Sequence, residues 1–142
     1  MGFQQLLLLT LSLIIVMLSV AIGIDAFHEN KQRFEADNLV NDAVHLAAEA
    51  QAWYVKPALN GGGNNTSWQG ISFAHMGYHI TDEGYYHNRN GTFRLDAKPN
   101  VLFIVGVDSS AGVTVSAQID GLRADDIEVD IDRWGTLPFR SR

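Results

Sequence analysis

The chain has 142 residues, a formal net charge of −6, 18% charged residues and no cysteine. That length suits one compact domain plus an appendage, and the missing cysteines exclude disulfides, thiolate metal sites and cysteine nucleophiles. An acidic balance with scattered basic residues argues against a phosphate-binding surface, and so against nucleic acid as a partner.

Hydrophobic residues make up 46% of the chain, but they are unevenly spread. Residues 6–24 read LLLLTLSLIIVMLSVAIGI and carry no charge. As a helix this segment would be about 28 Å long, close to the hydrocarbon thickness of a bilayer. In hydrocarbon a single segment satisfies its backbone only as a helix. A cleaved secretory signal needs a basic start and a small-residue cleavage pattern. Here Met1, Gly2, Phe3, Gln4 and Gln5 include no Lys or Arg, and Asp25, Ala26, Phe27 and His28 contain no A-x-A pattern. The segment is therefore expected to be retained. It serves either as an ordinary single-span anchor or as a helix that visits the membrane and then packs against copies of itself. Lys31 and Arg33 follow the span mixed with Asp25, Glu29 and Glu35, so charge does not fix the orientation. The start is too short to carry a domain, which leaves residues 25–142 as the functional side.

Helix breakers are missing well beyond the span: no Gly lies between Gly23 and Gly61, and no Pro precedes Pro57. Ala36, Val40, Ala43, Ala47, Ala50 and Tyr54 keep helical spacing, with an adjacent row at Leu39, Ala43, Leu46, Ala50 and Trp53. Asn41, Asp42, His45, Glu49 and Gln51 are expected on the opposite, solvent-facing side. One helix from about Gln4 to Val55 follows, about 75 Å long. Lys56 and Pro57, then Asn60 and three glycines, end it. The alternative is an anchor and a separate amphipathic helix, with a break near residues 23–25.

After the glycine run the helical spacing disappears. Residues 67–73 alternate and suit a strand. Residues 85–88 and 92–95 flank Arg89, Asn90 and Gly91, a good hairpin turn. Residues 101–107 form a continuous apolar run expected to be a central strand. Val113, Val115, Ala117 and Ile119 alternate with polar residues, as do Ile127, Val129 and Ile131. Strands at this spacing with hairpin-length links predict an antiparallel sheet, whose apolar face the amphipathic half-helix would cover. The fold class is α+β. Residues 1–57 form the long helix, with 1–24 as membrane or filament-core segment and 25–57 as amphipathic half. Residues 58–142 form the β head.

Few features suggest chemistry. His75 and His79 are four apart outside any expected helix, without a third ligand at convincing spacing, so no metal or cofactor is expected. Asp120, Asp125, Asp126, Glu128, Asp130 and Asp132 lack the calcium-loop pattern. They read as one solvated strand face, or as a contact for Arg133, Arg140 and Arg142 of a neighbouring subunit. Asn64, Asn65 and Asn90 each begin an acceptor sequon for glycosylation, although Asn and Gly are also what turns favour. Tyr54, Trp68, Tyr78, Tyr85 and Tyr86 would suit a sugar-binding or electron-carrying surface, but they read first as core and cross-strand aromatics. No nucleophile–base pair, phosphate loop or paired catalytic carboxylates can be placed, so no enzyme activity is expected.

A short polar start, a charge-free N-terminal helix, an amphipathic continuation and a β head together resemble type IV pilins and the related type II secretion pseudopilins. The likeness is carried by residues 1–57. Where that family has Glu at the fifth mature position, this chain has Gln5 counting from Met1, or Leu7 counting from Phe3. A buried carboxylate is costly unless paired, whereas Gln5 would hydrogen-bond across subunits at lower cost. The resemblance implies a homopolymer built through the helix, with Phe3, Gln5, Leu6, Leu9, Leu13, Val16, Val20 and Gly23 in the filament core. Small residues at Ser12, Ser19, Ala21 and Gly23 permit close helix approach. It further implies a membrane pool before assembly, an assembly machinery as partner, and an extracellular filament as destination. The alternatives are a membrane-tethered binding or sensory head and a minor pseudopilin.

Overall fold

The computed structural model describes residues 2–132. Arg133, Arg140 and Arg142, and so the contact expected of them, lie outside the described residues, as does Met1.

A single α-helix, α1 (Gly2–Val55), runs for 54 residues without interruption, about 80 Å at 1.5 Å per residue. It passes straight through Gly23, so the break considered near residues 23–25 is absent. Its end is set by backbone chemistry. Pro57 has no N–H to continue the ladder, and the chain turns back through Gly61 at φ 76°. The returning loop then caps the last turn. Gly63 N–H donates to Trp53 O at 3.0 Å, Asn64 N–H to Lys56 O at 2.9 Å and Asn65 N–H to Tyr54 O at 2.8 Å. Carbonyls that a helix end leaves orphaned are thereby satisfied. The indole N–H of Trp53 donates to Gly61 O at 2.8 Å and pins the same loop from the side.

The head is a five-stranded antiparallel meander in sequence order, β1 (Tyr86–His87), β2 (Thr92–Ala97), β3 (Leu102–Asp108), β4 (Val113–Ile119) and β5 (Ile127–Asp132). The apolar run predicted to be central is β3, the middle strand. Register follows the period-two pattern: Ile104 faces Leu95 and Ala117, Gly106 faces Phe93 and Val115, and Ala117 faces Val129. One face therefore gathers Phe93, Leu102, Ile104, Val113, Val115, Ala117 and Ile119, all fully buried. The other face carries Arg94, Asp96, Ser116, Gln118, Glu128 and Asp130 on the alternate positions. The acidic residues Glu128 and Asp130 are exposed there.

Helix α1 lies on the apolar face. Ala36, Leu39, Ala43, Leu46, Ala47, Ala50 and Trp53 are its buried residues, with Val40 and Tyr54 packed partly against the same core. The two rows read from the spacing are thus the docking stripe. Four alanines in it let the helix backbone approach the sheet closely.

Two expectations are corrected. Residues 67–73 form no strand. Trp68 N–H donates to Pro99 O at 3.2 Å and Ile71 N–H turns back to Trp68 O at 3.3 Å, while Gly70 sits at φ 87°. A strand needs a neighbour along its length. This segment instead folds across the end of the core and buries Trp68, Ile71 and Phe73 as a lid. The second correction concerns Asp42, Glu49 and Gln51, which flank the buried stripe rather than oppose it. Asp42 Oδ2 accepts from Asn88 Nδ2 at 2.8 Å and from Asn90 Nδ2 at 2.7 Å. Gln51 Nε2 donates to Gly121 O at 3.0 Å and Arg123 O at 3.1 Å. These side chains reach sideways to the sheet's connecting segments and clamp the helix at both ends of the meander.

Candidate functional site: the exposed half of the helix

Helix α1 is one element with two unlike halves. Residues 32–55 meet the head: Gln32 donates to Ala111 O at 3.4 Å, the first hydrogen bond from α1 to the sheet in chain order. Residues 2–31 are exposed throughout. That half contains a window long and apolar enough to cross a membrane, none of it buried.

The three hydroxyls of residues 6–24 are closed off internally. Thr10 Oγ1 donates to Leu7 O at 2.9 Å, Ser12 Oγ to Leu8 O at 2.8 Å and Ser19 Oγ to Ile15 O at 2.8 Å. Each hydroxyl returns to the preceding turn, so residues 6–24 present no unsatisfied side-chain donor to their surroundings, while the amides of Gln4 and Gln5 precede that stretch. In hydrocarbon or in a dry helix bundle this matters, because an unpaired donor there costs several kcal/mol, in the range of roughly 2–7. The surface that remains along residues 6–24 is apolar, with small side chains at Ser12 and Ser19.

The residues assigned to filament packing share one side. At 3.6 residues per turn, Gln5, Leu6, Leu9, Leu13, Val16, Val20 and Gly23 fall within an arc of about 100°. Phe3 lies off that arc, nearer the side that carries the sheet further along. Phe3, Leu6, Leu9, Leu13, Val16 and Val20 are between 56% and 76% exposed, and Gln5 is exposed as well. A Cβ added at Gly23 would meet nothing within 4 Å, so its small size has no use within the subunit.

The same arc continues past the apolar segment to Phe27 and Phe34, which are 69% and 63% exposed. Sequence reading missed both, because they sit among Asp25, Glu29, Lys31 and Arg33 and do not raise the local hydropathy. The available signal was spacing: Phe27 follows Gly23 by four residues, and Phe34 follows Phe27 by seven.

The remaining candidates are placed as follows. Asn64 and Asn65 are exposed in the loop capping the helix, at φ 53° and 60°. Asn90 is partly buried, and its amide is engaged by Asp42. Tyr78 and Tyr86 belong to an aromatic cluster with Phe73 and Phe93, ring centroids 4.5–6.4 Å apart. Burial first, and the Glu49 carboxylate second, push the Tyr78 phenol above its ordinary range, so it stays neutral. Glu49 Oε2 is shielded from solvent and has no hydrogen-bond partner among the described residues. His75 hydrogen-bonds Ser72 through Nδ1 at 3.0 Å and stacks on Trp53, while His79 is exposed. No protein-family model matches this chain, and no curated protein or solved structure matches it significantly.

Proposed function

We propose that this chain is a non-enzymatic structural subunit of an extracellular, type IV pilus-like filament, held in the membrane before assembly and polymerised through α1. One observation carries the reading. A single rigid helix projects an unburied apolar half, about 45 Å long, from a head that is locked onto its other half. An anchor for a lone head needs only the span. A helix that continues without a break into the head core makes the head and the apolar rod move as one body, which suits packing into a regular array. In such an array the apolar arc would exchange lipid for neighbouring helices. With the hydroxyls already satisfied, that exchange leaves none of them stranded, and the Gln5 amide on the same arc would bond across subunits. Contacts that repeat head to tail without closing give an open helical polymer.

The test is electron microscopy of material sheared from cells producing the full chain, with mass spectrometry of the N-terminal peptide and Gly23→Leu as the probe variant. Thin uniform fibres that retain residues 6–24 support the reading, as does loss of fibres in Gly23→Leu with an unchanged head. Recovery of the protein only as a detergent-solubilised monomer overturns it in favour of a membrane-tethered head.

A further inference from the structure

The end of the head farthest from the apolar rod carries an open cleft of about 510 Å³, within the roughly 300–1,000 Å³ typical of small-molecule sites. Three segments meet there: the end of α1 with the loop that caps it, the β2–β3 turn, and the β4–β5 link. Tyr54, half-buried, forms one wall and is backed by the buried Trp68, their ring centroids 4.4 Å apart. Asn65, Asn100, Asp120 and Leu122 line the rest. Asn65, Asn100 and Asp120 are exposed, and their side chains make no hydrogen bond or ion pair with the described residues. Two amides and a carboxylate are thus unengaged beside an aromatic wall.

The walls are fixed before any ligand arrives. Asn65 N–H is tied to Tyr54 O at 2.8 Å, and Trp68 N–H to Pro99 O at 3.2 Å. Gln51 of the helix holds Gly121 O at 3.0 Å. Each segment is therefore bonded to another, which lowers the ordering cost of binding.

From this geometry we infer that the cleft binds a neutral saccharide of one or two rings. The chemistry of the lining selects the class. Among the described residues no cation lines the cleft, so a phosphate or sugar acid would meet Asp120 uncompensated by them. Amides that donate and accept, set beside a carboxylate acceptor, match pairs of adjacent hydroxyls. Tyr54 and Leu122 offer apolar surface to the C–H face of a pyranose ring, with Trp68 packed behind Tyr54. A quaternary ammonium, which has no hydrogen-bond donor, would use Asp120 and the Tyr54 ring but leave both amides idle. The site lies at the end of the head remote from the membrane segment, and the inference holds whether or not the chain polymerises.

The experiment is a titration of the ¹⁵N-labelled full chain in a polyoxyethylene detergent, which itself carries no sugar. The probes are lactose, cellobiose and N,N′-diacetylchitobiose, with sialyllactose and tetramethylammonium as competitors of other chemistry. Saturable shifts of the Asn65 and Asn100 side-chain amides and the Trp68 indole with at least one neutral disaccharide are expected. Asn100→Ala should weaken binding about three- to tenfold, and Asp120→Ala about ten- to a hundredfold. Both positions are exposed, with no side-chain partner among the described residues, so both variants should keep the wild-type spectrum elsewhere. Asp130→Ala, on the outer face of the sheet, should bind as wild type. The inference is overturned by any of three results: no saturable shift with the three disaccharides, shifts that persist unchanged in Asn100→Ala and Asp120→Ala, or a stronger response to sialyllactose or tetramethylammonium.

Discussion

The two halves of α1 share a backbone and differ in where their stability comes from. Residues 32–55 are helical because seven of their side chains are buried against a sheet, and each fully buried large side chain there is worth roughly 1.5–3 kcal/mol. Residues 2–31 bury nothing. Their helix rests on the absence of breakers and on whatever apolar surroundings receive them. The packed half therefore tolerates little, and the exposed half should tolerate most changes as far as the head is concerned while being intolerant in membrane or assembly assays.

The largest expected effect comes from placing the same charge in each half. Leu39 has no exposure, and Leu39→Asp buries an unpaired carboxylate. A loss of about 5 kcal/mol follows, enough to unfold a marginal head. Leu13→Asp instead leaves the head melting temperature in detergent unchanged. It costs about 3 kcal/mol at the centre of a membrane span and lowers the fraction of the chain that inserts. Circular dichroism melts and fractionation of both variants check the pair. Equal destabilisation by the two would break the division of the helix.

Trp53→Ala comes next. Trp53 is 7% exposed, stacks on His75 and bonds Gly61 O. Truncation should cost about 3–5 kcal/mol and loosen the loop that caps the helix, read as faster amide exchange at Gly63 and Asn65. Ala52, one residue away and exposed, supplies the contrast: Ala52→Ser should change stability by less than about 0.5 kcal/mol.

A smaller effect is expected within the sheet. Gly106 pairs with Phe93 across β2 and β3, and a Cβ there would stand 2.5 Å from the Phe93 ring. Phe93 is wholly buried and cannot swing aside, so Gly106→Ala should destabilise by about 1–3 kcal/mol. Gly106→Ala combined with Phe93→Leu should cost less than the two changes summed, because the smaller side chain relieves the clash. An equilibrium urea titration of the two single variants and the double variant measures this.

Much of this architecture was legible from residue spacing. The stripe from Ala36 to Trp53 and the alternation in β2, β4 and β5 report burial, and burial is what a period of 3.6 or 2 encodes. Contacts made by connecting segments were not legible. A helical wheel sends Asp42, Glu49 and Gln51 towards water, because it does not know that turns of the sheet overhang the helix on both sides. Residues 67–73 show strand-like alternation, yet their neighbour in space is the β2–β3 turn rather than another strand, and that follows from tertiary packing alone. On the exposed arc, Leu6 to Val20 stand in an apolar run, whereas Phe27 and Phe34 stand among charged residues and only their spacing along the expected helix marks them. The cleft at Tyr54, Asn100 and Asp120 joins residues far apart in the chain, and no local pattern announces it.

The smallest effect tests the junction of the two halves. Asp108, at the end of β3, is 9% exposed. Its Oδ1 accepts Ser110 N–H at 2.8 Å, the Ser110 hydroxyl at 2.7 Å and, more weakly, Ala111 N–H at 3.4 Å. Burial by itself would raise this carboxyl. The three donors and the charge of Lys31 on α1 outweigh it and hold the group below the ordinary aspartate range. The same turn receives Gln32 through Ala111 O, so Asp108 organises the point where the rod enters the head. A carboxylate with a depressed folded pKa adds stability above its unfolded value of about 3.9, and that stability is lost as pH falls through the folded value. Lowering the pH below about 4 should therefore loosen the 108–112 turn before the core yields. Amide exchange at Ser110 and Ala111 should rise first, with Val115 and Ala117 still protected. Asp108→Asn keeps an acceptor oxygen but cannot ionise, so it should begin less stable near neutral pH and show a flatter acid response in this turn. An identical acid profile for wild type and Asp108→Asn would mean that the junction is held by Gln32 and the apolar stripe, and that the Asp108 charge adds nothing to it.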